Sequence, residues 1–394
     1  MTIERLIVCQ GTAQLVTAVA ALRAHMARST ARSESQQSRE HLLICGLAVA
    51  DESQAEEFAT VIEKMAALLH PFATITRLAD KRLEQLLAEA RSASSASGIA
   101  ALLHQATGIG EIDEVFTVRD WQSCNVLALS AYPDALHVCY GDSVGVYLPK
   151  GFMAPPPSLR SRIALWLRHV MSPIPALLAS PRLDVSYLLL PEAFSLPPSG
   201  DVVRTEAAVL RDLFHILSPL LNATAMDDLY VRVADRSVWV LMGSNFSEQG
   251  LMTLEQELDA YCEWIEGLLP SPDTVLLIKS HPRDRRGKRE LLETRLRRQF
   301  GEVWSADFLG SAYLPIEVLL LNLKPVVASL RTLTVSTACL AAHFVVKSRN
   351  HIGFGDTIVR RYVMANRRRE RLEHERELRR LCMRLTDDDR PEMI

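Results

Sequence analysis

What this chain lacks narrows its reading first. Its seven cysteines (Cys9, Cys45, Cys124, Cys139, Cys262, Cys339 and Cys382) stand singly, mostly inside apolar runs, with no CxxC pair or other metal-ligand spacing. That argues against a zinc ribbon or a disulfide framework and predicts reduced core thiols in a cytoplasmic protein. No window reaches the roughly 18 apolar residues that a membrane-spanning helix needs. The apolar opening is interrupted from Gly11 to Gln14 and no cleavage signature follows, so no signal peptide is expected. A net charge of -3 gives no global pull toward nucleic acid. There is no Walker A sequence, HExxH or GxGxxG, and no convincing DxD for a metal-bound diphosphate, so neither a metal nor another cofactor is implied.

What is present is a rhythm. Short apolar strands ("RLIVC", "LLICG", "ATIT", "IDEVFTV", "LHVCY") alternate with longer helical stretches through the first half, which predicts a parallel sheet covered on both faces. A second series runs through "SVWVLMG", "TVLLIK", "EVWS", "PVVAS" and "HFVV". A Pro-rich, mainly helical stretch separates the two series. With 394 residues the chain is expected to be α/β, with two doubly wound Rossmann-like domains: 1–225 with its Pro-rich extension, 226–350, and a tail 351–394 formed by an Arg-rich helix. That helix reads as a solvated face, the alternative being a peripheral contact with the inner membrane.

Ligands of open α/β sheets sit at the carboxyl ends of the strands, so chemistry is sought there. "TVLLIKSHPR" ends a strand in Lys279, Ser280, His281 and Pro282, a charge and a ring donor suited to a phosphate, with a proline to stop the strand. Arg283 is the one arginine of the following basic run near enough to matter. Gly243 and Ser244 end the first strand of the second series, where glycine lets a nucleotide approach the backbone. "VSTACL" places Ser336 and Thr337 before an apolar helical run, a capping pair that can also meet an anion. Glu317, just after Pro315, either caps its helix or grips the vicinal hydroxyls of a ribose. In the first half, Gly11, Thr12 and Gln14 form a strand-to-helix turn. Asp142 follows "LHVCY" in a glycine-flanked turn, where a carboxylate is ordinary turn chemistry or a general base.

Taken in order, "YGDSVG", "IKSHPR", "LPIEVLL" and "VSTACL" resemble the bacterial sialyltransferases and polysialyltransferases of the GT-B fold; with "CQGTAQL" and "LMGSNFSEQG" the resemblance spans roughly residues 5 to 345. It implies two Rossmann-like domains facing across a cleft and a metal-independent, inverting transfer from a CMP-activated donor, CMP-sialic acid or a relative such as CMP-Kdo, to a surface glycan. On that resemblance Asp142 is the general base and His281 meets the donor phosphate. Lys279, Pro282, Gly243, Ser244, Ser336 and Thr337 line the donor site, Glu317 holds the ribose, and Gly11, Thr12, Gln14 and Arg283 line the cleft. In the family a glycine directly follows the acidic residue; here Ser143 follows Asp142 and glycine returns at Gly145. Two alternatives stand beside it: a transferase using another activated donor, such as a CDP-polyol phosphotransferase, and a non-catalytic nucleotide- or glycan-binding relative.

Overall fold

The computed structural model describes the chain apart from residues 1, 31–36, 48, 50, 94, 120–122, 142–182, 194–199, 311 and 385–394. Contacts divide it into two compact units, Met1–Leu47 with Ala55–Leu210, and Ala48–Gln54 with Arg211–Ile394. Among the described residues no helix is long and apolar enough to cross a membrane.

The first unit is built on β1 (Ile3–Cys9), β2 (Ser38–Cys45), β3 (Thr74–Leu78), β4 (Glu114–Thr117), β5 (Leu136–Cys139), β6 (Val185–Leu188) and β7 (Asp201–Arg204), in the spatial order β3-β2-β1-β4-β5-β6-β7. Every pairing is parallel. The inner strands are apolar because both faces are covered, and Leu6, Val8, Leu43 and Val115 enter one core with Leu86, Leu103 and Leu127 of the covering helices. Arg5 interrupts that pattern. It lies in register with Glu40 on β2 and Glu114 on β4 and pairs with both carboxylates at 2% exposure.

The second unit has β8 (Ser237–Met242), β9 (Val275–Lys279), β10 (Val303–Ser305), β11 (Ser329–Thr334) and β12 (Arg349–Ile352), ordered β10-β9-β8-β11-β12 and again parallel throughout. The order reverses between β8 and β11, so the loops after β8, β9 and β11 leave the sheet at its ligand-binding end. One core joins Trp239, Leu241 and Ile278 of the sheet to Tyr261, Trp264, Phe354 and Leu372. Helix Arg368–Arg384 belongs to this unit and is more than a solvated surface helix. Arg371 and Glu375 are buried and pair with each other, and the Glu375 carboxylate accepts the Phe354 and Gly355 N–H groups ahead of helix Asp356–Tyr362.

Three sequence expectations are corrected. "PVVAS" precedes its strand: residues 324–326 turn behind Pro325, which has no N–H for a ladder, and pairing with β8 begins at Ser329. "HFVV" lies in the π-helical turn Ala341–Val345 and just beyond it, and the fifth strand is "RNHI". A short buried apolar run has no period that separates strand from helix. The mainly helical stretch before the second series also holds β6 and β7, four residues each; its "MAPPPSL" part lies outside the described residues.

Candidate functional site

The loop leaving β9 sets His281. Its backbone N–H donates to Asp284 Oδ2 (2.8 Å), the Asp284 N–H returns to the His281 carbonyl (2.9 Å), and the Arg283 N–H donates to His281 Nδ1 (3.1 Å). Pro282 sits inside this turn. An Nδ1 that accepts a hydrogen bond carries no proton, so the neutral ring holds its proton on Nε2. Burial, with the charges of Arg283 and Lys288, depresses the imidazole to about 3 against the pull of Glu248. Near neutral pH, His281 is therefore an uncharged Nε2–H donor. Arg283 contributes through its backbone, and its side chain is exposed.

Lys279 points elsewhere. Its ammonium, buried at the end of β9, pairs with Asp307 Oδ1 (3.1 Å) and also donates to the Ala312 carbonyl. Burial works to raise Asp307, but Lys279, Ser280 and Arg289 outweigh it and hold the carboxyl low. Glu317, 5% exposed in the first turn of helix Ile316–Leu323, is pushed up to about 7 by burial, opposed by its own backbone N–H and by Lys279. Lys279 thus ties β9 to the segment leading to Glu317.

Gly243 leaves β8 where the chains approach closely. A Cβ there would lie 3.1 Å from the Lys279 carbonyl oxygen, 3.5 Å from the His281 nitrogen and 3.6 Å from Asp284 Oδ2, so the space glycine leaves is filled by the His281 loop. The Ser244 N–H donates to Tyr261 Oη (2.8 Å). Tyr261 lies one turn beyond Glu257 on helix Leu254–Gly267, whose start is fixed by the Thr253–Gln256 capping box; Glu257 accepts the Ser247 N–H (2.8 Å). Beneath both loops sits Lys288, 4% exposed. Its Nζ reaches the Ser244 carbonyl (2.8 Å), Asp284 Oδ1 (2.9 Å), Glu257 Oε1 (2.8 Å) and Glu248 Oε2 (3.0 Å). Sequence reasoning took this stretch for helix surface and missed Asp284, Lys288, Glu257 and Tyr261. The one signal was a lysine at the first position of a helix, where positive charge is unfavourable.

After β11, Ser336 turns inward. Its N–H donates to Thr334 Oγ1 (3.1 Å) and its hydroxyl accepts the Ala338 N–H (3.4 Å), while the Leu340 N–H reaches the Thr337 carbonyl (3.1 Å). The helix they open, Ala338–Leu340, is short and runs on into the π turn. Arg371 braces this loop by donating to the Val335 carbonyl and lying 4.8 Å over the Phe246 ring.

In the first unit Gly11, Thr12 and Gln14 form the turn from β1 into helix Thr12–Thr30. Gln14 Oε1 accepts the Gln10 N–H (3.1 Å) and Thr12 is buried. Asp142, Ser143 and Gly145 lie outside the described residues. None of the cysteines is in a disulfide and, apart from the half-buried Cys262, all are buried; no metal-binding cluster of acidic, histidine or cysteine side chains occurs among the described residues.

One comparison with known proteins bears on the family question. Residues 176–343 match the model of the alpha-2,8-polysialyltransferase family. The match supports a glycosyltransferase. The matched stretch runs from before β6 to the π turn and contains Gly243, Ser244, Lys279, His281, Glu317, Ser336 and Thr337, while Asp142 precedes it. Among solved structures, UDP-GlcNAc 2-epimerase of Methanocaldococcus jannaschii is similar at 12% identity and TM-score 0.46, over 89% of this chain and 83% of that one. The GT-B domain of a Photobacterium damselae sialyltransferase is similar at 12% identity and TM-score 0.35, over 86% and 88%. The 2,6-sialyltransferase of Photobacterium sp. JT-ISH-224, solved with CMP and lactose, gives 8% identity and TM-score 0.40, over 86% and 69%. No curated protein matches the chain.

Proposed function

We propose that this chain is a metal-independent, inverting glycosyltransferase that moves a sialic acid or related keto-sugar acid from a CMP-activated donor to a hydroxyl of a glycan. In this reading Asp142 takes the proton of the acceptor hydroxyl as its oxygen attacks the anomeric carbon. The bond from that carbon to the phosphate oxygen breaks, and CMP departs with the electron pair. One localised charge develops on the phosphate, and fixed donors can meet it. The observation that carries the reading is the His281 ring, held neutral at the end of β9 with Nε2–H as its donor. Glu317 is the acceptor for the ribose hydroxyls, and Ser336 and Thr337 add donors. We assign Lys279 a supporting part, holding the Asp307 and Glu317 segments to β9. Gly11, Thr12 and Gln14 are assigned to the acceptor side. The Arg-rich helix enters as a brace of the second unit, since Arg371, Arg379 and Arg380 are held in ion pairs.

The test is CMP release from CMP-Neu5Ac and, separately, from CMP-Kdo, with a short glycan acceptor and no added metal. The wild type is expected to release CMP from one of them. His281→Ala is expected to lose at least ~100-fold in kcat, the scale of removing one transition-state donor, and Asp142→Ala to bind CMP yet fail to transfer. Absence of both turnover and CMP binding in the wild type overturns the reading.

A further inference from the structure

Lys288 is out of place by every local rule. A lysine in the first turn of helix Lys288–Phe300 opposes the helix dipole, and burying an ammonium is costly unless its partners are well placed. Here the partners join separate pieces of chain: the Ser244 carbonyl and Glu248 from the loop after β8, Glu257 from the capped helix, and Asp284 from the His281 turn. Asp284 uses its two oxygens differently. Oδ1 faces Lys288, while Oδ2 accepts the His281 N–H. That second bond closes the turn in which the Arg283 N–H is aimed at His281 Nδ1. Remove the Asp284 charge and both the turn and the reason for the ring's tautomer loosen together. Apolar side chains in place of the cluster would spare the desolvation of four charges, so what the cluster contributes is the geometry it imposes.

We propose that Asp284 and Lys288 are positioning residues for His281, fixing its ring in the Nε2–H tautomer that faces the leaving phosphate. The assignment rests on the glycosyltransferase reading for its purpose, but the positioning can be measured without turnover. The groups that set the ring's charge are Arg283 and Lys288, which disfavour the imidazolium, and Glu248, which favours it.

Long-range nitrogen–proton NMR correlations of the imidazole rings distinguish the tautomers, with His281→Gln identifying the His281 signals. In the wild type we expect a protonated Nε2 and bare Nδ1 from about pH 8 to about pH 7, where Asp284, raised to about 6 by burial, still carries its charge, and no titration of the ring near 6.5, where an ordinary histidine titrates. In Asp284→Asn, which keeps the shape and removes the charge, we expect mixed tautomers. Lys288→Met should act in the same direction, and Lys288→Arg should restore part of the wild-type pattern. On CMP release, Asp284→Asn should lower kcat by roughly 10- to 100-fold with KM within about threefold, as for a misplaced catalytic group. A wild-type ring protonated at Nδ1, or one titrating near 6.5, overturns the proposal without any variant. So does a folded Asp284→Asn protein whose ring is unchanged. A wild type with the expected tautomer but no CMP binding or release leaves the positioning of the ring standing and removes the reaction.

Discussion

Glu317 shows how burial can tune a carboxyl. It is pushed up to about 7, so near neutrality it is divided between a carboxylate that only accepts and an acid that also donates. If it grips the ribose as a carboxylate, CMP affinity should weaken as the pH falls through about 7, and Glu317→Gln should bind more weakly with no such pH dependence; calorimetric titration from about pH 8 to about pH 6 separates the two. Glu317 and His281 were both legible in the sequence because each follows a recognisable local break, a proline before one and a strand end at the other. The charge states of these residues were not legible. They depend on Arg283, Lys279, Lys288 and Glu248, which the fold brings together from distant positions.

At the scale of elements, the ends of β8 and β9 are locked by what Gly243 omits. A methyl group there would press on the Lys279 carbonyl at 3.1 Å, tighter than backbone atoms readily yield. Gly243→Ala is expected to cost about 1–3 kcal/mol, the range for overpacking a fitted interior, and to reduce CMP release more than its stability loss explains, because the displaced atoms belong to the His281 loop. Urea unfolding beside turnover checks both parts. The glycine was legible as a residue with a reason, but the reason differed from the expected one: the neighbouring strand and turn occupy the space. Alternation of apolar runs with helical stretches gave most strands, down to the four-residue β4 and β5, while β6 and β7 escaped it because they lie in the Pro-rich stretch read as helical.

For the molecule as a whole, four groups of the second unit balance one another. His281 and His374, both depressed to about 3 by burial and neighbouring positive charge, are neutral in the fold but protonated in the unfolded chain below about pH 6.5, so each makes stability fall on acidification. Asp284, raised to about 6, and Glu317, raised to about 7, both mainly by burial, take up protons in the fold that the unfolded chain does not, so each makes stability rise. The two effects oppose each other, and the unfolding midpoint should change little between about pH 6.5 and about pH 4.5. Glu317→Gln removes one of the two groups on that side of the balance and should lose about 1–3 kcal/mol over that interval relative to its own value at neutrality, measured by urea titration with tryptophan fluorescence. Below that range Glu40 of the first unit matters. The hydrogen bonds and charges of His70, Ser38 and Arg5 overcome its burial and hold it at about 2, so its contribution is lost as the pH falls from about 4.5 toward 2. Helix Arg368–Arg384 has a consequence of another kind. Arg371 holds the Val335 carbonyl and Glu375 holds the turn at Phe354 and Gly355, so the loop carrying Ser336 is braced by residues translated more than thirty positions after it. During synthesis the loop after β11 leaves the ribosome well before its brace does, and a chain cut before Arg371 keeps Ser336 and Thr337 yet lacks the contact that holds their loop.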